Sequence, residues 1–216
     1  MLRACTLLGP NTVDPLDAVV RHLAGRGHRL EIVDSRAGVD LLWACGLLTA
    51  ELIADGAELE VVAAPVFPGE TEPVYRSVVV ARRAGQGTRR LAVNEYGSWS
   101  GYQGLLRSHR LAPWLSGEIV ISGSHLDSIA AVAAGNADAA AIDHSVWDWV
   151  VAHQPALVAD LMVLETSDDW PAPPFSVRRS ASARDLVDDL LSYPPAPNLE
   201  IVPATFDRYQ FMKTAS

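Results

Sequence analysis

The stretch that decides the fold is YRSVVVAR, at residues 75–82. Its run of β-branched residues predicts a long strand. A loop with three prolines and a glycine, residues 65–73, precedes it, and a polar turn with Gly85 and Gly87 follows. The pattern on each side of this strand alternates short apolar strands with helices, so the chain divides into two α/β blocks around it.

The elements of both blocks follow from their hydrophobic periodicity. The first block predicts strands at 3–8, 29–33, 40–45 and 59–66, with helices at 15–26 and 47–54. The second predicts strands at 91–94, 118–122 and 139–143, with helices at 100–109, 126–134 and 146–164. The end of the chain predicts a strand at 175–178, a helix at 183–191 and a short strand at 201–202. Such alternation is typical of parallel sheets with helices on both faces.

These blocks predict two lobes within one α/β protein. Residues 1–83 and 170–216 are expected to form the first lobe, and residues 84–169 the second. The strands at 75–82 and 175–178 are expected to lie side by side at a hinge. Because ligands of open parallel sheets bind beyond the carboxyl ends of the strands, we expect function in the loops that follow those strands.

The composition excludes several classes of function. The 216 residues are 49% hydrophobic and 20% charged, which is typical of a globular protein that buries roughly 70% of its surface. A net charge of −9 argues against a nucleic-acid partner, because phosphates require a basic surface. No apolar run reaches the ~18 residues of a membrane span. Lys213 is the only lysine, which excludes chemistry that needs an internal lysine.

Cysteine and histidine usage argues against a metal site. Cys5 and Cys45 lie in apolar runs, where buried thiols are expected. The six histidines have no close-set ligand spacing, so we expect neither a metal nor another cofactor. The apolar stretch at the start of the chain is too short for a secretory signal, which predicts a cytoplasmic location for the sequence as written.

The segment NEYGSWSGY, residues 94–102, follows a predicted strand and opens a predicted helix. A helix N-terminus carries unpaired N–H groups and a partial positive charge. Two glycines allow a close approach of the backbone, while Ser98 and Ser100 add hydroxyl donors. We interpret the segment as a neutral anion-binding cradle, with helix capping by a serine as the alternative. A hydrolase G-x-S-x-G motif is absent, because Trp99 stands where the serine would be.

Two further polar loops follow predicted strands. Ser124 and His125 lie between a strand and a helix, and Asp143 ends the strand at 139–143. Each has a plain alternative, since Ser124 and Asp143 can cap the following helix and His125 can be an exposed first-turn residue. Together with the segment at 94–102, they place polar groups after three successive strands of the second block.

Several segments resemble the phosphate-, phosphite- and phosphonate-binding proteins of ABC transporters. The resemblance lies in Tyr75–Ser77 with the valine strand after it, in 94–102, 123–125 and 135–143, and in the tail at 201–203 with Tyr209. It extends over about residues 40–210. The family implies a type 2 periplasmic-binding-protein fold, in which two α/β lobes close on a ligand in the cleft between them.

The resemblance also implies a set of ligand-binding residues. They are Tyr75, Ser98, Ser100, Gly101, Ser124, His125 and Asp143. Trp99 is a further candidate for ligand binding, and it stands between the serines where the family has a small residue. The serines, the glycine and the histidine would contact the oxyanion, the tyrosine would reach in from the hinge, and the aspartate would meet the other end of the ligand. The implied partners are a small oxyanion or phosphonate and an ABC permease. The location would then be extracytoplasmic, with a leader ahead of the sequence.

A carboxylate at Asp143 restricts the ligands that such a site accepts. A buried carboxylate beside a dianion costs several kcal/mol unless a proton or a positive group intervenes. A protonated oxyanion or an aminoalkylphosphonate meets this requirement, whereas fully deprotonated sulfate does not. We therefore expect sulfate to be rejected if Asp143 lines the site.

Two other functions are compatible with the same fold. One is a cytoplasmic enzyme, since some enzymes of menaquinone and thiamine synthesis resemble these binding proteins. The other is a ligand sensor that works without a transporter. The leading hypothesis is a solute-binding protein for a phosphorus oxyanion or phosphonate, without catalysis.

Overall fold

Three sheets organise the part of the chain that the computed structural model describes, which is residues 1–83, 89–179, 183–197 and 199–212. The strands are β1 (Leu2–Thr6), β2 (Leu30–Ile32), β3 (Leu41–Trp43), β4 (Leu59–Val66), β5 (Val74–Tyr75), β6 (Ser77–Arg82), β7 (Leu91–Val93), β8 (Ile119–Ile121), β9 (Ala139–Asp143), β10 (Leu161–Thr166), β11 (Trp170–Pro171), β12 (Phe175–Arg178) and β13 (Glu200–Pro203). The α-helices are α1 (Val13–Gly25), α2 (Gly46–Ala54), α3 (Gly104–Arg107), α4 (His125–Ala133), α5 (His144–His153), α6 (Pro155–Val158) and α7 (Ala183–Leu191).

The first compact unit is built on a six-stranded sheet. Its strand order is β13-β4-β12-β3-β1-β2, in which β1 runs parallel to β2 and β3 while β12 runs antiparallel to β3 and β4. Trp43 stacks on Phe175 across the β3–β12 pair, with ring centroids 4.5 Å apart. The Trp43 indole N–H donates to the Pro173 carbonyl at 3.0 Å, so its polar atom is satisfied inside the core.

The second compact unit is built on a five-stranded sheet with the order β10-β6-β9-β7-β8. The strand β7 runs parallel to β8 and β9, while β6 runs antiparallel to β9 and β10. Small and β-branched side chains of β6 and β9, including Val80 and Ala140, are fully buried. Because β7, β8 and β9 run in the same direction, the loops after them lie at one edge of the sheet. This edge carries the candidate site.

The chain passes between the units at the two-stranded sheet of β5 and β11. The first unit comprises Met1–Val74 and the described residues from Pro171 onward, and the second comprises Tyr75–Trp170. The sequence placed the first boundary after residue 83, but β6 lies in the second unit because it pairs with β9 and β10. The expected adjacency of the strands at 75–82 and 175–178 is wrong, since β12 pairs with β3 and β4.

The helix expected at 146–164 is also wrong in its second half. The helix α5 ends at His153, and Gln154 has an extended φ of −135° before Pro155. Proline disfavours a helical conformation in the residue before it, so the chain turns and starts the short helix α6. The strand β10 then forms the edge of the second sheet beside β6. No helix in the described ranges is long and apolar enough to cross a bilayer.

The carboxylate of Glu165 on β10 holds the turn that follows α3. It accepts hydrogen bonds from Ser108 Oγ at 2.5 Å, from the His109 N–H at 3.2 Å and from the Arg110 N–H at 3.1 Å. Burial raises the pKa of Glu165, but these three bonds and the charge of His109 outweigh it and hold the pKa below its usual value. The ionised form therefore stabilises the folded state.

We predict that Glu165→Gln lowers the free energy of unfolding at pH 7 by about 1 kcal/mol, a value reduced for partial exposure. The folded-state pKa is depressed, so the stabilisation is present above the unfolded-state pKa and is lost as the pH falls through the folded-state pKa. Urea unfolding at pH 7 and in acid measures the difference. The control is Glu118→Gln, an exposed carboxylate of the same unit. An equal loss in both variants at pH 7 would contradict the prediction.

Candidate functional site

The serine segment forms a wide helical turn after β7. Residues Trp99–Gln103 form a π-helical turn that continues into α3, and the Gln103 N–H donates to the Ser98 carbonyl at 3.1 Å. Ser98 Oγ accepts from the Gly101 N–H at 2.9 Å and so caps the turn. Ser98 and Ser100 are both buried. π-Helical turns occur often at functional sites because they widen the backbone and redirect side chains.

Close packing fixes the position of this turn. A Cβ at Gly101 would overlap the side-chain oxygen of Asn94 and would lie 2.9 Å from Ser98 Oγ. A Cβ at Gly104 would lie 2.6 Å from Ser77 Oγ on β6. The Ser77 hydroxyl donates to the Ser100 carbonyl at 2.6 Å, which ties the turn to the sheet. Two glycines and one buried serine therefore set the place of the two candidate ligand-binding serines.

Ser100 and His125 meet across two loops of the sheet edge. Ser100 Oγ lies 2.9 Å from His125 Nε2, and His125 is the first residue of α4. Burial lowers the pKa of His125, an effect that the charge of Asp143 opposes. His125 Nδ1 is buried, and no described residue lies within hydrogen-bond distance of it. The imidazole is therefore neutral at pH 7 and is held beside Ser100.

Asp143 caps α5 with one of its two carboxylate oxygens. Oδ1 accepts from the Ser145 N–H at 2.8 Å and from Ser145 Oγ at 2.6 Å. No described residue donates a hydrogen bond to Oδ2. Asp143 is also paired with Ser77 in the register of β9 and β6, so it lies at the edge of the sheet that carries the serine turn. The capping alternative holds for Oδ1, and Oδ2 takes no part in this cap.

Three other candidate ligand-binding residues make different contacts. The Ser124 hydroxyl donates to Asp127 Oδ2 at 2.7 Å and accepts from the Asp127 N–H at 3.0 Å, which is a helix cap. Trp99 is buried, with Arg107 4.3 Å from its ring centroid and Trp170 edge-on at 5.8 Å. Tyr75 is buried edge-on against Trp170 at 6.0 Å. The structure thus brings together Ser98, Ser100, Gly101 and His125, while hydrogen bonding engages Ser124 with its own helix.

Sequence reasoning missed the residues that support the turn from outside. Asn94 Oδ1 is buried against Gly101, and Ser77 holds the Ser100 carbonyl. Arg107 covers the Trp99 ring, and its pKa is lowered by burial. A serine at the start of a valine strand was a usable signal for Ser77, since a buried hydroxyl needs a hydrogen-bond partner. Nothing local in the sequence indicates the contact between Arg107 and Trp99.

A known protein family matches the part of the chain that carries the serine turn. The family model described as "ABC transporter, phosphonate, periplasmic substrate-binding protein" matches residues 36–197, which include all the residues of the serine turn and the two adjacent loops. The chain belongs to this family. The resemblance seen in the sequence is confirmed, and so is the two-lobed α/β class of fold that it implied. No curated protein matches the sequence.

Solved structures of several solute-binding proteins share this fold. A binding protein component of an ABC phosphonate transporter from Pseudomonas aeruginosa is 16% identical, with a TM-score of 0.76 over 96% of this chain and 82% of that chain. PhnD1 from Prochlorococcus marinus, solved in complex with methylphosphonate, is 15% identical, with a TM-score of 0.75 over 97% of this chain and 94% of that chain. An arginine-binding protein from T. maritima is 18% identical, with a TM-score of 0.55 over 88% and 87%.

We predict that Gly101→Ala disrupts the serine turn, because its Cβ would overlap Asn94 Oδ1. Overpacking of this kind costs about 1–3 kcal/mol of folding free energy. The matched control is Gly97→Ala, since a Cβ at Gly97 would have no atom within 4 Å. Urea unfolding of both variants measures the effect. A Gly101→Ala variant as stable as Gly97→Ala would show that the turn relaxes without cost.

Proposed function

We propose that this protein binds a phosphonate or a related phosphorus oxyanion as the solute-binding component of an ABC uptake system, without catalysis. The observation that carries the proposal is the 2.9 Å contact between Ser100 Oγ and His125 Nε2 at the start of two helices. The family match supports a transport role and an ABC permease as the partner. Methylphosphonate bound to PhnD1 supports the class of ligand.

The neutral imidazole of His125 orients the Ser100 hydroxyl for an anion. When Nε2 carries the proton, it donates to Ser100 Oγ, and the Ser100 hydrogen is then free to donate to an oxyanion. The first-turn N–H groups of the helical stretch that begins at Trp99 add further donors without a net charge. Such an arrangement binds an oxyanion by oriented dipoles.

Asp143 gives this site a preference among oxyanions. Its Oδ2 accepts no hydrogen bond from a described residue, so a ligand hydrogen can meet it. A protonated phosphonate or phosphate supplies that hydrogen through oxygen, and an aminoalkylphosphonate supplies it through nitrogen. Sulfate has no hydrogen at neutral pH and would face an unscreened carboxylate. We therefore propose that the site selects phosphorus compounds over sulfate.

The first experiment is a thermal-shift panel of phosphate, phosphite, methylphosphonate, 2-aminoethylphosphonate, sulfate and chorismate. A ligand at a hundredfold excess over its Kd stabilises the folded state by about 2.7 kcal/mol. This corresponds to a rise in Tm of several degrees. We predict that phosphorus compounds raise the Tm and that sulfate does not. A shift by chorismate alone would favour an enzyme on this fold, and equal shifts by sulfate and phosphate would place Asp143 outside the site.

We predict that Ser100→Ala weakens binding of the best phosphorus ligand by about 1.5–3 kcal/mol, because one hydrogen bond to a charged group is lost. Titration calorimetry measures the change, and Ser116→Ala, an exposed serine of the same unit, is the control. If an aminoalkylphosphonate binds best, Asp143→Asn should weaken it far more than it weakens phosphate. Unchanged affinity in a Ser98→Ala/Ser100→Ala variant would contradict the site assignment.

Binding without catalysis is tested separately from affinity. The ligand that raises the Tm most is incubated with the protein and followed by phosphorus NMR. We expect its signal to persist unchanged at its original intensity. Conversion into a new phosphorus species that requires Ser100 would contradict a purely binding role.

A further inference from the structure

A cavity of about 190 Å³ opens in the first unit, and none of its lining residues belongs to the serine turn. It lies between the end of α2, the beginnings of β3 and β4, and the end of β12. These are the amino ends of the parallel strands, whereas the proposed phosphonate site follows the carboxyl ends of strands in the second unit. The cavity and the proposed phosphonate site have no residue in common.

The floor of this cavity is apolar. Val39, Leu42, Leu52 and Leu59 line it, and they belong to the hydrophobic cluster between α2 and the sheet. Leu42 and Leu59 are buried residues, so the cavity reaches into the core of the unit. An engineered apolar cavity of about 150 Å³ in another protein binds benzene. The present cavity is therefore large enough for an aromatic ring or a branched aliphatic chain.

Charged side chains of both signs line the mouth of the cavity. Arg36 and Arg178 line it together with one carboxylate, that of Glu58. Arg178 is engaged, since its Nη2 donates to the Val39 carbonyl at 2.8 Å and its Nε lies 3.3 Å from Asp40 Oδ1. Arg36 is exposed, and within the described ranges no hydrogen bond or ion pair engages its guanidinium. The unpaired guanidinium of Arg36 thus lies at the mouth of a cavity whose floor is apolar.

We propose that this cavity binds a small organic carboxylate with a branched or aromatic apolar body. The apolar body would fill the leucine-lined floor, and the carboxylate would pair with the Arg36 guanidinium, whose planar donors match its two oxygens. The orientation follows from the chemistry, because the floor has no polar side chain for a carboxylate and the mouth has a free cation. Glu58 opposes the ligand charge and limits the affinity.

Methyl-labelled NMR of the whole chain tests the proposal. The leucine and valine methyl signals are followed during titration with 4-methylpentanoate and phenylacetate, and with the neutral partners 4-methylpentanol and phenylacetamide. We expect the carboxylates to shift the signals of Val39, Leu42, Leu52 and Leu59 in a saturable way. The neutral partners should bind several-fold more weakly. Absence of a saturable shift, or equal binding of acid and neutral partner, would overturn the proposal.

Charge variants at the mouth give effects of opposite sign. Arg36→Ala should weaken the binding of 4-methylpentanoate by up to about fivefold, the upper end of the range for an exposed ion pair. Glu58→Gln should strengthen it, and Arg29→Ala, an exposed arginine that does not line the cavity, should leave it unchanged. Equal weakening by Arg36→Ala and Arg29→Ala would show a general charge effect and would overturn the assignment of Arg36.

Filling the cavity provides a test that does not depend on charge. Ala57 lines the cavity, and Ala57→Leu should abolish carboxylate binding by occupying the space. Its Tm reports whether the variant folds, and a folded variant that still binds the carboxylate would overturn the proposal. Methylphosphonate binding tests the serine turn separately, so the proposal for the cavity and the proposal for the serine turn can be contradicted independently.

Discussion

The short hydrogen bond from the Ser77 hydroxyl to the Ser100 carbonyl couples the strand β6 of the second unit to the candidate site. Ser77 begins β6, which pairs with both β9 and β10, so its position is fixed by the sheet. Gly104 lets the helical stretch approach that hydroxyl closely. The serine turn is therefore held against the rigid part of the unit. A site built this way keeps its donors in place before any ligand arrives.

The proposed site would bind an anion through the dipoles of N–H and hydroxyl groups. Arg107, which follows the turn, lies over the Trp99 ring, and burial lowers the pKa of His125 and so favours its neutral imidazole. Oriented N–H and hydroxyl groups can stabilise an oxyanion where a buried lysine or arginine would first need its own counter-charge. This explains how a chain with a net charge of −9 and one lysine can present an anion site. In such a site, affinity for an anion depends more on the orientation of the donors than on their number.

The agreement between sequence and structure depends on the kind of signal. The strands β4, β9 and β12 have the predicted bounds because each is a compact apolar run bounded by polar or turn residues. The strand β10 was missed since its apolar run follows a helix and lacks glycine or proline at its start. The hinge was misplaced because local periodicity does not reveal which strands pair. The contact between Ser100 and His125 joins separate loops, so the sequence indicated it only through the expected clustering of loops at the sheet edge and through the family resemblance.

The sequence by itself determined the class of fold, the family and the identity of the serine turn, because hydrophobic periodicity and short motifs are local properties of the chain. Only the tertiary structure decided the roles of the individual polar groups. Ser124 and Ser98 both follow strands and precede helical turns. The Ser124 hydroxyl donates its hydrogen to Asp127, whereas Ser98 lies in the buried turn and accepts from the Gly101 N–H. A hydroxyl has one hydrogen to donate, and which acceptor receives it depends on distances that arise only when separate strands pack side by side.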